Sequence, residues 1–150
     1  MQNFRSLQEL EESLDYSFRD RNLLASALTH RSFQYELRGP GVRVKDYEAL
    51  EFLGDAVVGL LVCEHLYRRF PDKREGELSK IKSVLVSRKE LARLADSLGL
   101  GDFVRLGKGE ARSGGRNKST ILADIFESVT AAVYLDGGLS AARTFLTSQL

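Results

Sequence analysis

From Asp46 to Phe70 the chain repeats apolar residues at helical spacing and meets no proline until Pro71. A helix that long must bury one side against other elements, so it dictates the plan of the domain around it. Along it Glu48, Glu51 and Asp55 fall within about 60° of one another, because i, i+3 and i+7 share a face at ~3.6 residues per turn. Carboxylates so close repel by about 4 kcal/mol per pair at ~4 Å and an effective dielectric near 20. Such a cluster persists where a cation offsets the repulsion or where water screens it. Spacing alone does not separate these two readings. Leu50, Leu53, Ala56, Val57, Leu60 and Leu61 form an apolar flank on the same segment, which implies a packed helix rather than a free one.

The rest of the chain is also punctuated for helices. Ser6-Leu7-Gln8-Glu9 reads as a capping box that opens a short helix to about Leu14. Asp20 caps a second, with Leu23, Leu24, Ala27 and Leu28 as its stripe and His30 at its end. Residues 36–45, with Gly39-Pro40-Gly41, read as a loop. One helix is expected from about Glu77 to Ser97, ending at Gly99, with Ile81, Val84, Leu85, Leu91 and Leu94 as its apolar positions. A glycine-rich connector, Gly107 to Gly115, precedes a helix from Ser119 to Leu135. Asp136-Gly137-Gly138 stops that helix, and Ser140 caps a last one. With no βαβ alternation and no repeat, the expected fold is all-α.

At 150 residues the chain is one domain, residues 1–150, with enough length for a core of its own. Its lone cysteine, Cys63, sits in an apolar run, reads as a buried thiol and allows no internal disulfide. That fits a reducing compartment, and with no membrane-length apolar run the expected location is cytoplasmic, with no membrane partner. Net charge is only +1, from 22 basic and 21 acidic residues, so bulk electrostatics does not hold a polyanion. The charges are polarised, however. Arg105, Lys108, Arg112, Arg116 and Lys118 gather in one stretch, while acids gather around Glu48 to Asp55.

Asp124 and Glu127 are a second acid pair, at i, i+3 in the apolar stretch from Ile121 to Val129. Two acids there are costly unless they meet something. With Glu51 and Asp55 they make a box of four carboxylates from two helices. Hard oxygen donors without His or Cys suit Mg²⁺ or Mn²⁺ better than zinc or iron. Neither His30 nor His65 has a Glu three residues before it, which argues against a di-iron bundle.

These residues also carry a resemblance. Glu48-Ala49-Leu50-Glu51-Phe52-Leu53-Gly54-Asp55-Ala56 resembles the signature of the ribonuclease III endonuclease domain. Leu28-Thr29-His30-Arg31-Ser32, Glu75-Gly76-Glu77-Leu78-Ser79, Ser113-Gly114-Gly115-Arg116 and Ile121-Leu122-Ala123-Asp124-Ile125-Phe126-Glu127 follow in family order over almost the whole chain. Ala49 departs from a position that is usually basic or polar, without touching a site role. The resemblance implies a helical domain of that type, forming a symmetric homodimer. It implies an endonuclease that cuts double-stranded RNA in rRNA and mRNA processing, leaving 5′-phosphate and 3′-hydroxyl ends with short 3′ overhangs. It makes Glu51, Asp55, Asp124 and Glu127 the catalytic, metal-binding acids, with Mg²⁺ as cofactor and Mn²⁺ as substitute. Glu48 would support the site or contact RNA. Phe52, near the acid face, would insert into the partner subunit; an intrachain core position is its plainer reading. A C-terminal double-stranded-RNA-binding domain, usual in the family, is absent from this sequence, and truncation is the expectation.

Other residues have plainer expectations. His30 reads as a structural hydrogen-bonding histidine, and Glu64 as either a boundary residue or a partner of a base. Lys80, Lys82, Arg88 and Lys89 read as a solvated face, and Gly107-Lys108-Gly109 lacks the spacing of a phosphate loop. Two rival functions stand beside the nuclease: a catalytically silent relative that binds structured RNA, and an interaction module with an acidic helix. Four intact acids argue against the first, and two acids in an apolar helix against the second.

Overall fold

The structure, a computed structural model, describes residues 6–37 and 45–150. Eight helices are seen among them: α1 (Leu7–Leu14), α2 (Arg21–Ala27), α3 (Arg31–Glu36), α4 (Glu48–Arg69), α5 (Glu75–Leu85), α6 (Arg88–Ser97), α7 (Lys108–Arg112) and α8 (Ser119–Gln149). The only strand-like pairing among the described residues is a single parallel bridge, Thr29 with Arg105. The all-α expectation stands.

Helices α4 and α8 form the central pair, and α6 and α2 pack onto α8 from other sides. Val58, Leu61 and Val62 of α4 meet a core shared with Ile125, Phe126 and Val129 of α8, Leu91 and Leu94 of α6, and Leu24 of α2. The α4 flank divides, however. Val57 and Leu61 are buried, whereas Ala56 is exposed and Leu60 keeps 53% of its surface. Cys63 is exposed as well, on the same outer stripe, so the buried-thiol reading is wrong. A run apolar on nearly every side does not reveal which of its sides meets the core.

Several boundaries also differ. Ser6 and Asp20 do cap α1 and α2, accepting from the N–H groups of Gln8 and Asn22. The helix expected over 77–97 is two: α5 ends at Leu85, and the Ser87 side chain caps α6 by accepting from the Glu90 N–H at 3.2 Å. Apolar spacing continues across this break, and the serine hydroxyl decides it. The glycine-rich connector contains α7 and a 3₁₀ turn, Gly115–Asn117. Glu36 and Leu37 belong to α3 and its cap, and residues 38–44 of the expected loop lie outside the described residues. The break expected at Asp136-Gly137-Gly138 is a kink within α8, where Gly138 takes φ +85° and ψ 178° before the helix resumes. A side chain there would be strained, which is why a glycine turns the chain.

Candidate active site

The two acid pairs stand on the central helices beside a point where their backbones touch. A Cβ added to Gly54 of α4 would fall inside the carbonyl group of Glu127 on α8. The backbones therefore touch at this point, and only glycine permits it. Asp55 follows Gly54 directly, so backbone contact brings its carboxylate to Glu127. One turn earlier on each helix, Glu51 meets Asp124.

The four sequence-predicted acids thus come together, as two hydrogen-bonded pairs: Glu51 with Asp124, and Glu127 with Asp55. Among the described residues no three His, Cys, Asp or Glu groups close on one point as a finished ligand set. Nor does any of the four form an ion pair with a described Lys, Arg or His. Burial pushes the Glu127 carboxyl up to about 8, helped by the charge of Asp55 and the hydrogen bond to it. Burial likewise pushes Glu51 up to about 7, with the charge of Asp124 and their hydrogen bond adding to it. Asp124 is also raised, by burial, although its bonds to Glu51 and Tyr47 act the other way. Burial first, and for Glu51 and Glu127 the neighbouring carboxylate charges after it, keep Glu51, Asp124 and Glu127 from ionising as readily as free carboxyls. An all-oxygen donor set with excess negative charge and no ion pair to a described side chain is what a hard divalent cation would relieve.

Two depressions flank the pairs. A polar one of about 380 Å³ is lined by Glu51, Asp124, Arg31, Lys118, His30 and Tyr47. A second, of about 430 Å³, is lined by Asp55 and Glu127 together with apolar Ala56, Leu60, Val86 and Leu91. Glu48 stands outside the pairs, exposed, with its carboxylate 3.8 Å from the Arg31 guanidinium, and its charge contributes to raising Glu51. Phe52 projects outward with 83% of its surface exposed, so it is no intrachain core residue.

Residues 20–150 match the family described as Ribonuclease-III-like. Ribonuclease 3 of Geobacter metallireducens is 54% identical over 135 residues, covering 89% of this chain and 54% of that protein. Ribonuclease 3 of Syntrophobacter fumaroxidans is 50% identical, covering 90% of this chain and 55% of that protein. The chain belongs to the ribonuclease-III-like family. The nuclease domain of ribonuclease III from Campylobacter jejuni superposes with a TM-score of 0.87 at 41% identity, over 96% of this chain and 95% of that one. A Dicer from Pichia stipitis aligns at 0.62 and 25% identity, over 87% of this chain and 53% of that one. This ribonuclease-III-like chain therefore spans about half the length of the curated relatives it matches. No helix among its described residues is long and apolar enough to cross a membrane.

Other residues of this ribonuclease-III-like site have structural duties. His30 is not the end of α2 but the N-cap of α3: its Nδ1 accepts from the Ser32 N–H at 3.1 Å. The Ser32 hydroxyl stands 2.7 Å from that nitrogen and accepts from the Gly107 N–H at 2.8 Å. Burial lowers the His30 pKa, so the ring is a neutral hydrogen-bonding group. Glu64 pairs with Arg143 through two bonds of 2.5 and 3.2 Å, and so is the partner of a base. Lys118 is held by Glu110 at 2.8 Å. One site residue escaped the sequence reading altogether. Tyr47, buried just ahead of α4, directs its hydroxyl to Asp124 at 3.5 Å. Burial and the Asp124 and Glu51 charges push its phenol far up, so it stays protonated. Its only trace in the sequence is its place one residue before Glu48.

Proposed function

We propose that the chain is the catalytic part of a divalent-metal-dependent endonuclease that hydrolyses double-stranded RNA. The observation that carries this is the set of four carboxylates from α4 and α8, crowded and in no ion pair with a described side chain, of which Glu51, Asp124 and Glu127 hold their protons above the usual carboxylate range. Membership of the ribonuclease-III-like family supports it.

Glu51, Asp55, Asp124 and Glu127 would hold Mg²⁺, with Mn²⁺ as substitute. A cation held there supplies Lewis acidity to a phosphodiester and its reacting water. The residues of the chain do the rest. Glu51 and Glu127 would give up the protons they hold if the site were loaded, and the fixed helical frames of all four acids orient the donor oxygens. Arg31 and Lys118 line the same depression as Glu51 and Asp124 and would meet the phosphate there. Glu48 keeps Arg31 near that depression. Cleavage leaves 5′-phosphate and 3′-hydroxyl ends.

A duplex has two strands, and one chain has one acid site, so we assign the active unit to a symmetric homodimer. Phe52, Leu60 and Tyr67 form an exposed apolar stripe down α4, at 83%, 53% and 74% exposure. Beside it runs a groove of about 770 Å³ lined by Leu60, Cys63, Tyr67, Phe70, Leu78 and Lys82. Such a patch suits burial against a second copy, with Phe52 as the inserted residue. Work on the C. jejuni domain likewise concerns a region involved in dimer formation. Two offset sites across the duplex would leave short 3′ overhangs.

The test is incubation of the chain with long double-stranded RNA and, separately, duplex DNA of the same sequence. Cleavage of RNA in Mg²⁺, stopped by excess chelator and absent on DNA, is expected. RNA cleavage undiminished by chelator would overturn the reading.

A further inference from the structure

Tyr47 lies just ahead of α4, outside both helices of the acid site, and is bonded to each of them. Its backbone carbonyl accepts from the Glu51 N–H at 2.8 Å, closing the first turn of α4. Its phenolic hydroxyl reaches across to Asp124 Oδ2 on α8. We propose that Tyr47 is a positioning residue of the site, setting Asp124 of α8 in register with Glu51 of α4. The inference rests on the metal-site reading above and adds to it a residue outside the four acids.

The mount is rigid. Tyr47 is only 4% exposed, and its N–H donates to the Thr29 carbonyl at 2.9 Å. Thr29 is itself tied down: its hydroxyl donates to the Ala25 carbonyl at 2.7 Å, and its neighbours exchange backbone bonds with Arg105 at 2.8 and 3.0 Å. The Tyr47 ring lies 5.8 Å from that of His30, which Ser32 holds in turn. A phenylalanine would fill the same space, and a buried hydroxyl is costly without a partner. The partner it faces is Asp124.

The character of that contact points to orientation rather than stability. The phenol of Tyr16 donates to Asp136 at 2.6 Å, a full-strength bond, whereas the Tyr47 contact is 3.5 Å. A contact that long faces Oδ2 with the phenolic O–H while leaving the charge of the carboxylate largely uncompensated. Outer groups that orient ligating carboxylates in this way are worth ~10–100-fold in metal affinity.

The experiment titrates Mn²⁺ into the RNA-free chain, comparing wild type with Tyr47→Phe by calorimetry, with thermal melts of both. Affinity about tenfold weaker at an unchanged melting temperature is expected, the low end of that range befitting a long contact. The Mn²⁺ dependence of RNA cleavage should move by the same factor. A second measurement needs no variant at position 47. In wild-type protein labelled at tyrosine ¹³Cζ, the Tyr47 resonance should shift on adding Mg²⁺, and this response should vanish in Asp124→Asn. It decides the matter if Tyr47→Phe does not fold. Wild type without saturable Mn²⁺ binding would sink the metal site itself and this inference with it. Wild type that binds, with an equally tight Tyr47→Phe or an unmoved Tyr47 resonance, would sink the positioning role alone.

Discussion

Asp124 and Asp136 lie on the same helix, α8, and their surroundings treat a carboxylate in opposite ways. Around Asp136 everything complements the charge. The Tyr16 hydroxyl donates at 2.6 Å, and the N–H groups of Arg19 and Asp20 each donate at 2.9 Å. Burial alone would raise this group, but those bonds more than offset it and hold the carboxyl below its usual range. At Asp124 burial wins, although the bonds to Glu51 and Tyr47 and the charges of Arg88 and His30 all act the other way. One carboxylate is satisfied by the fold, and the other is left unsatisfied by it. The difference separates an acid that holds structure together from an acid kept for something that arrives later.

RNA cleavage should show the largest effect. Glu127→Gln keeps the volume and the helix but removes a donor charge, and RNA cleavage should fall by about 10²–10³-fold or more. The same change relieves crowding with Asp55, so the metal-free protein should melt at the same temperature or slightly higher. A Glu127→Gln protein that cleaves normally would place this acid outside the site.

Gly54→Ala attacks the frame rather than the charges. The added Cβ has nowhere to go but into the Glu127 carbonyl, so α4 and α8 must separate. A loss of about 3 kcal/mol in urea unfolding is expected, together with weaker Mn²⁺ binding. Unchanged stability would show that the two backbones do not meet there.

Asp136→Asn is the counterpart at the satisfied end of α8. Removing the charge from an acceptor of three hydrogen bonds should cost about 2 kcal/mol of stability. Per folded molecule, cleavage and Mn²⁺ affinity should not change. If they fall as far as in Glu127→Gln, the division between the two kinds of acid is false.

The smallest effect is in the pH dependence of the metal-free protein. Glu51 and Glu127 titrate at about 7 and about 8 in the fold and near their ordinary value when unfolded. In that window the folded chain binds more protons, so stability falls as pH rises through it. Glu64 and Glu110, held low by hydrogen bonds from Arg143 and Lys118, act with opposite sign: their contribution is lost as pH falls. Melting temperature without metal should therefore peak at mildly acidic pH and decline toward pH ~8–9, and saturating Mg²⁺ should abolish the decline. A metal-free midpoint that climbs steadily across that window would contradict the assigned shifts.

The same contrast explains what could be read from the residues alone. Four acids at helical spacing among leucines and isoleucines announce themselves, because nothing in such company stabilises a charge. Phe52 stands out in the sequence as an aromatic ring beside an acid face, and it is exposed. The α5–α6 break was hidden because apolar spacing runs through Val84 to Leu91 and a single Ser87 hydroxyl ends the helix. Cys63 and Leu60 misled because α4 is apolar on two sides, one for the core and one outward. Tyr47 depends on contacts with Thr29 and Asp124, far away in sequence, which no local pattern encodes. Gly54 likewise shows its purpose only once α8 lies against it.

Because Glu51 and Glu127 hold protons near neutral pH, a cation that takes their place must expel them. Calorimetric titration of Mn²⁺ into the RNA-free chain at pH 7, repeated in buffers of different ionisation enthalpy, counts those protons. Saturable binding is expected, with release of about one proton or more per site at pH 7 and almost none at pH ~9.5. Binding without proton release at pH 7, or binding that survives Glu127→Gln and Asp124→Asn unchanged, would contradict the metal site.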